Sequence, residues 1–535
     1  MNHHESFAER TVVPRCRQSV VRFNEFVADQ ADVIVIGSGV GGLCCGGLLA
    51  RGGREVVVLD AHSKPGGAAH GFGKTYHFES GPSLWSGLGR WPSNNPLAQI
   101  LRALGQTLEV VPYRDWDVVL PEGHLRVGVG NEAFSAVVKD LRGPEAMMEW
   151  QRFMTVLQPI AAAANALPLL ALRPGADVMT QLLRRSGQLL PHLAAMRHLG
   201  GAFGPLVDRH LQDPFLRHWV DLLCFLISGL PMGGTNAAAM ATLFGEWFDP
   251  DACLDFPRGG SKGVVLALVR GLEANGGELR LRSRVRELMM DGDRATGVVL
   301  ESGERIHARH VVSNADVWST LELIPEGRAQ RWRRERQSTP SCGSFLHLHL
   351  GFDASGLEDV PIHTVWVGDW ERGINAERNA VVVSIPSVLD PTMAPPGRHV
   401  LHAYTPANEP WELWEGLERD SPAYLKQREE RCSVFWRILE QRIPDIRERC
   451  DVVMEGTPLT HRRFLNVHNG SYGPALPAGE GLFPGVTTPV KGLWMCGAST
   501  FPGIGIPPVA ASGALAAHGI LGRRAQKDLL KELGI

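Results

Sequence analysis

The chain has 535 residues, 44% of them hydrophobic and 21% charged, with a formal net charge of −3. That length holds two or three domains, and the composition is that of an ordinary globular enzyme. With no dense block of Lys and Arg, nucleic acid is excluded as a partner. Nine cysteines at irregular spacing, with Cys44 and Cys45 adjacent, fit neither a disulfide framework nor a zinc site, so a reducing compartment is expected and secretion is not.

Residues 1–30 lack the apolar core of a secretory signal and read as a solvated N-terminal extension. Arg10, Arg15, Arg17 and Arg22 make it somewhat basic, but Glu5, Glu9, Glu25 and Asp29 set it apart from organelle-targeting segments, which are poor in acid. No stretch approaches the ~20 uninterrupted apolar residues of a membrane span. The chain is expected not to cross a bilayer.

From residue 31 the first organised unit begins. Val33, Ile34, Val35 and Ile36 make the β-branched run of a strand buried on both faces. It ends at Gly37, and Gly37, Gly39 and Gly42 stand in G-x-G-x-x-G spacing before small and apolar residues at helical spacing over 43–49, closed by Gly52 and Gly53. Residues 56–59 form a second strand, and Asp60 follows it, 18 residues past Gly42. Strand, tight turn, helix, strand and terminal acid in this order are the dinucleotide fingerprint. The glycines let a pyrophosphate reach the backbone at a helix N-terminus, and the acid accepts from ribose hydroxyls. No basic residue follows Asp60 immediately, which argues against the extra phosphate of NADP.

Behind the ribose acid, Lys64-Pro65-Gly66-Gly67 is a second glycine turn where backbone approaches an extended cofactor, and 78–83 reads as a short strand entering a turn. From about 110 to 255 the pattern changes to helices rich in Leu, Ala and Met, punctuated by Pro159, Pro168, Pro174 and Pro191. Its most apolar pieces, 159–172 and 216–232, read as core. An exposed face there would suit a greasy substrate tunnel or a shallow dip into a membrane surface.

At 256–318 α/β grammar returns, with a helix over 263–275 and short strands at 279–281, 285–290, 296–300 and 305–308 leading into 310–316. The nucleotide domain is therefore discontinuous in sequence. Between 321 and 465 strand patterns alternate with loops. In 344–350 the period of two puts His347 and His349 on one face with Phe345 and three leucines on the other. With no Cys, Asp or third His at ligand spacing beside them, these histidines read as structural, and no metal site is expected. A strand at 399–404 joins the same antiparallel sheet, and 412–442 is helical. Near the C-terminus, 493–496 is a short buried strand, 497–505 a glycine-rich turn, and 507–518 a helix opened by proline, whose positive end suits an anionic ligand.

The runs ADVIVIGSGVGG at 31–42, PGG at 65–67, VVSNAD at 311–316 and FPGIGIPPVAASG at 501–513 resemble the phytoene desaturase and carotene isomerase flavoproteins, nearest to the carotene cis–trans isomerase-like proteins of cyanobacteria and chloroplasts. The likeness runs from about residue 31 to the end; the glycine triplet is generic, the 501–513 run much more specific. It implies FAD as cofactor and an α/β fold: a Rossmann-type FAD-binding domain of the glutathione reductase and amine oxidase kind, with an α+β substrate domain of antiparallel sheet and apolar helices. The implied division is extension 1–30, FAD-binding parts 31–110, 255–320 and 466–535, a helical substrate part 111–254 and a sheet part 321–465.

By the same resemblance Gly37, Ser38, Gly39, Gly41 and Gly42 hold the pyrophosphate, Asp60 and Ala61 the adenosine ribose, and Val285 the adenine through its backbone. Gly66, Gly67 and Ala68 line the cofactor further along. Gly497, Ala498, Gly505, Ile506, Pro507 and Val509 lie at the flavin. Three positions depart from the pattern. Gly497-Ala498 stands where the isomerases usually have Gly-Asp, so a carboxylate toward the ribityl chain is missing, as in bacterial desaturases. Asp60 replaces a frequent Glu, and Glu79 a frequent Asp.

The resemblance implies an enzyme acting on a carotenoid or related isoprenoid by cis–trans isomerisation, in the cytoplasm or the plastid stroma at the thylakoid side, with peripheral membrane contact. Alternatives are a desaturase or saturase, a flavin-assisted hydratase, or, against the grain of the apolar 150–235 region, an amine oxidase. The catalytic side chains are unknown: no nucleophile–base or carboxylate pair stands out, and His349, Glu79, Tyr472 and His70 are candidate proton donors. The sequence sets neither the oligomeric state nor the electron donor.

Overall fold

The computed structural model describes residues 30–174, 187, 190–480 and 483–535; of the N-terminal extension only Gln30 lies among them. Strand β1 (Gln30–Ile36) feeds helix α1 (Val40–Arg51), which returns to β2 (Val56–Leu59). After a long excursion come α2 (Asn131–Arg142), α3 (Pro144–Asn165), α4 (Pro214–Ser228) and α5 (Ala237–Glu246), preceded by β3 (Asp115–Leu120) and β4 (Gly123–Gly128). Helix α6 (Gly260–Ala274) leads to β5 (Glu278–Arg280), β6 (Val285–Asp291), β7 (Arg294–Leu300) and β8 (Arg305–Ser313). Then follow β9 (His347–Asp353), β10 (His363–Val367), β11 (Ala380–Ser384), β12 (Arg398–Tyr404), α7 (Pro422–Arg442), β13 (Cys450–Gly456) and α8 (Pro458–Leu465). The chain closes with β14 (Leu493–Met495) and α9 (Ile506–Leu521) before a last amphipathic helix.

Two seven-stranded sheets organise these elements. The first has the order β6-β7-β8-β1-β2-β5, with β14 added to β8. Strands β1, β2, β5, the end of β8, and β14 run parallel, whereas β6 and β7 form an antiparallel hairpin against β8. Val33, Ile34, Val35, Val56, Val57 and Val58 are all buried because helices cover one face and the β6–β8 layer the other. Helices α1 and α9 cross so closely that a Cβ on Gly513 would lie 2.3 Å from the Gly41 carbonyl oxygen.

The second sheet has the order β13-β9-β12-β11-β10-β3-β4, antiparallel except for β10 beside β3. One face carries Leu346, Leu348, Leu350, Val381 and Val383 against α7. The opposite face carries Val365, Val367 and Val382 against α2–α5, whose interior is aromatic: Phe134, Trp150, Phe153, Trp219 and Phe244.

This corrects the reading of 111–254 as wholly helical. Residues 110–128 are strands, and β3 and β4 complete the antiparallel sheet. The alternation of Trp116, Val118 and Leu120 inward is period two, but it is short and flanked by longer apolar helices. The strand expected from Ser344 begins only at His347, and the helix expected from 412 begins at Pro422, after a 3₁₀ turn at Trp411–Leu413. Segment Pro144–Ala171 is long and apolar enough to cross a membrane by length and composition. Its Trp150, Phe153, Met154 and Leu157 are nonetheless core residues against α4 and α5, as in a helix of a soluble core. All eight cysteines among the described residues are unpaired.

Candidate functional site

The C-terminal edge of the parallel strands gathers most of the glycines singled out from sequence. Gly39 is the N-cap of α1, in extended conformation, with no side-chain cap and no acidic residue in the first turn. The N–H groups of Val40, Gly41 and Gly42 are those a helix leaves without internal partners, and they form an anion seat. Gly42 has to be glycine, since a Cβ there would lie 2.1 Å from the Gly37 carbonyl oxygen.

The second turn docks on the first. Gly66 pairs with Gly39 in a β-bridge and donates its N–H to the Ser38 carbonyl at 2.9 Å, and a Cβ on Gly67 would touch Gly39 Cα at 3.2 Å. Asp60 accepts from the Ser38 N–H (2.7 Å) and hydroxyl (2.5 Å) on Oδ2, and from the His62 N–H (2.8 Å) on Oδ1. The carboxylate thus braces the glycine turn and still has lone pairs for ribose hydroxyls. Ala61, next in the chain, is exposed, and so is Ala68, whose carbonyl accepts from Ser80 Oγ at 3.0 Å. Val285 opens β6, two residues past Ser283, whose N–H donates to the Asp60 carbonyl at 2.7 Å.

From the far end of the chain, α9 enters the same place. A Cβ on Gly41 would meet Val509 at 3.1 Å, and the Gly497 N–H donates to Ser512 Oγ (2.8 Å), which donates to the Val509 carbonyl (2.7 Å). Gly505 is the uncapped N-cap of α9, with positive φ. Pro507 and Pro508 have no N–H, so in the first turn only Ile506 offers a donor. Gly505 faces the Ile227 carbonyl at the end of α4, and Ala498 lies behind Gly473 and Ile504. The segments that start at Gly37 and Pro507 therefore meet, and the C-terminal end of α4 lies against Gly505. Glycine turns without caps, two helix N-termini and a carboxylate at the end of β2 fit a flavin dinucleotide in their donor chemistry.

Sequence reading missed the residue that joins these pieces. Asn314, at the end of β8 inside the VVSNAD run, wedges its side chain among the turns: Cβ atoms on Gly39, Gly41 and Gly497 would lie 2.7, 2.7 and 3.0 Å from its amide. Its place at the C-terminal end of a parallel strand was the available signal.

Of the candidate proton donors, Glu79 is 2% exposed; its Oε1 accepts from the Ser261 N–H (2.9 Å) and hydroxyl (2.8 Å) at the start of α6, while Oε2 has no hydrogen-bond partner. Burial outweighs those two bonds and pushes its carboxyl up to about 7. Tyr113 and Tyr404 lie nearby, both raised by burial, Tyr404 to about 12. His349 donates from Nε2 to the Glu79 carbonyl at 2.9 Å, and burial lowers it to about 4. His70 bonds the Gly67 carbonyl through Nδ1 at 2.8 Å and is lowered by burial. Tyr472 sits edge-on to Phe345, at 5.2 Å, and is raised by burial. The third histidine missing from the sequence pattern is present in space: His402 on β12 stands directly opposite His349, and His461 on α8 reaches His347.

Comparison with known proteins gives this arrangement a context. The family profile described as flavin containing amine oxidoreductase matches residues 40–521. The chain is 31% identical over 510 residues to prolycopene isomerase 1, chloroplastic, of an Oncidium hybrid cultivar, covering 92% of this chain and 84% of that one. It is 29% identical to the chloroplastic prolycopene isomerase of Arabidopsis thaliana (91% and 82% covered) and 26% identical to a neurosporene-forming phytoene desaturase of Rhodobacter capsulatus (91% and 93%). Among solved structures, wild-type putrescine oxidase bound to putrescine superposes with a TM-score of 0.61 at 17% identity, covering 92% and 99% of the two chains. An oxidoreductase from Methanosarcina mazei gives 0.57 at 19% (90% and 98%).

Proposed function

The chain belongs to the flavin containing amine oxidoreductase family, and from that premise we propose that it is an FAD enzyme that isomerises cis double bonds of a carotenoid to trans. The likeness to two prolycopene isomerases over nine-tenths of the chain carries this reading. Within it, residues 31–110, 255–320 and 466–535 hold the cofactor, and 111–254 with 321–465 the substrate. The pyrophosphate lies on the Gly37–Gly42 turn, the ribose at Asp60 and Ala61, and the adenine at the Val285 backbone. Gly66, Gly67 and Ala68 line the middle of the cofactor, and its ring lies against Gly497, Ala498, Gly505, Ile506, Pro507 and Val509.

FAD, when bound, exchanges electron density with a conjugated chain laid over its ring, which lowers the barrier to rotation about a double bond. The protein's share is to bind, orient and exclude water. Ile227, Leu230, Tyr472 and Ile504 are partly buried against the helical core, an apolar surface suited to a polyene. Glu79, whose carboxyl burial pushes up to about 7, is the group whose chemistry suits donating a proton to a transient charge on the polyene.

The enzyme works in the plastid stroma or the cytoplasm against a membrane surface. Relatives named chloroplastic support the plastid, and Leu190 and Leu193, 62% and 58% exposed, support the membrane contact.

The test is anaerobic incubation of purified, reduced protein with a poly-cis carotene. Conversion to the trans pigment at unchanged mass is expected; protein without flavin absorbance as purified, before reduction, or unchanged carotene, overturns the reading. The likeness to phytoene desaturases and the Gly497-Ala498 pair favour a second reading, hydride transfer, which shifts product mass by two hydrogens.

A further inference from the structure

On the second sheet, the face turned away from α7 carries a group of imidazoles for which polyene binding has no use. In the antiparallel register His349 stands opposite His402, and His347 opposite Tyr404. His347, His349 and His402 are 4%, 7% and 1% exposed. The His349 and His402 rings stack at 4.4 Å between centroids with 5° between planes, and the His347 ring lies 5.2 Å from that of His402. One ring nitrogen from each of the three lies within 4.8 Å of the other two.

The hydrogen bonds around this group set which ring nitrogens carry protons. His349 Nε2 faces the Glu79 carbonyl, which only accepts, so Nε2 carries the proton and Nδ1 is bare. His347 Nε2 donates to His461 Nε2 at 2.8 Å, which leaves His347 Nδ1 to accept from His402 Nε2 at 2.9 Å; that proton must move to His402 Nδ1 before Nε2 can ligate. His402 Nδ1 is buried with no partner. Three imidazoles side by side in a water-excluded face are an expensive way to fill space if nothing takes up their nitrogens.

We infer that His347 Nδ1, His349 Nδ1 and His402 Nε2 form a three-imidazole site for one divalent transition-metal ion of the zinc class. An all-imidazole donor set selects such ions over magnesium or calcium, and three protein ligands leave a fourth position open. The ligating nitrogens are 2.9 Å apart in one pair and within 4.8 Å as a set, so metal–nitrogen bonds of about 2.0–2.1 Å require the stacked His349 and His402 rings to turn until their planes converge on the ion. The Glu79 carbonyl and His461 are the outer groups that hold the proton on Nε2 of His349 and His347 and so leave Nδ1 to ligate. Gly456, opposite His347, keeps the space, since a Cβ there would lie 3.1 Å from His347 Cβ.

The test uses tag-free protein with its flavin, exchanged into zinc or cobalt and desalted, and needs no carotenoid. Metal analysis is expected to find about one ion per chain, and the cobalt form to show visible bands at longer wavelength than the flavin. His349→Ala and His402→Ala are each expected to lose the ion. His461→Ala should weaken zinc affinity by roughly 10–100-fold, and His307→Ala, on the exposed side of β8, should retain it. Circular dichroism and flavin content report whether each variant has folded. Wild-type protein that holds no ion after exchange overturns the site even if no variant folds, and so does full retention of the ion by folded His349→Ala or His402→Ala.

Discussion

The two sheets build their sites from different material. At the parallel sheet the site is made of main chain: glycine turns, helix ends and one carboxylate, with Gly39 touching Gly66 and Gly67 backbone to backbone. At the antiparallel sheet the functional face is made of side chains from β9, β12 and α8, and the sheet is tied to its covering helix by a buried ion pair, Arg431 to Glu409 at 2.9 and 2.7 Å, with Trp414 donating to the same carboxylate. A main-chain site tolerates many neighbours but no added atom. A side-chain site tolerates small shifts but not the loss of a partner.

The largest expected break in that contrast is Glu409→Ala. It removes the buried partner of the Arg431 guanidinium, 7% exposed, leaving it only the half-exposed Glu377 at 2.8 Å and leaving Trp414 without its acceptor, and should cost toward the lower end of about 3–5 kcal/mol in denaturant unfolding. Flavin content of the protein that remains folded should be unchanged, because the damage is confined to the second sheet.

Acid sharpens the comparison, since each region holds one deeply buried, neutral histidine away from the imidazole group. Burial lowers His363 on β10 to about 3 and His518 on α9 to about 4. As pH falls below about 6.5 the unfolded chain takes up protons that the folded chain refuses, so stability present at neutral pH is lost progressively toward pH 4. Each tenfold drop in proton affinity on folding corresponds to about 1.4 kcal/mol, so the two histidines together are worth on the order of several kcal/mol. His363→Gln and His518→Gln, compared by unfolding at neutral and acid pH, should each flatten part of that loss.

Smaller in free energy but sharper in consequence is Gly42→Ala. The added methyl meets the Gly37 carbonyl oxygen, so about 1–3 kcal/mol of overpacking is expected, together with protein that purifies largely without flavin absorbance.

The main-chain region was the legible one, because glycine at fixed spacing after a β-branched run has few other uses. The strands at 33–36 and 56–59 and the helix between them stand where the sequence puts them, within a few residues. Asn314 was not legible in its role: its importance lies in three glycines from two distant segments closing around one amide. The histidine group was half visible. His347 and His349 declared a shared face, but His402 became their neighbour only through the β9–β12 register and His461 through the docking of α8, which no local pattern encodes. Strands β3 and β4 were hidden because six-residue alternations are faint next to twenty-residue apolar helices.

The first sheet takes its strands from residues 30–59, 278–313 and 493–495, and its α1 seats against α9 from the other end of the chain. A ribosome delivering this protein therefore releases β1 and α1 long before the partners that cover them. Until the last segment emerges, the nascent chain presents an unpaired β8 edge and a bare stripe of small residues on α1, surfaces that invite chaperones and strand-adding aggregation. Cofactor capture belongs to the end of synthesis, and a chain cut short even by its final fifty residues would be recognised as unfinished.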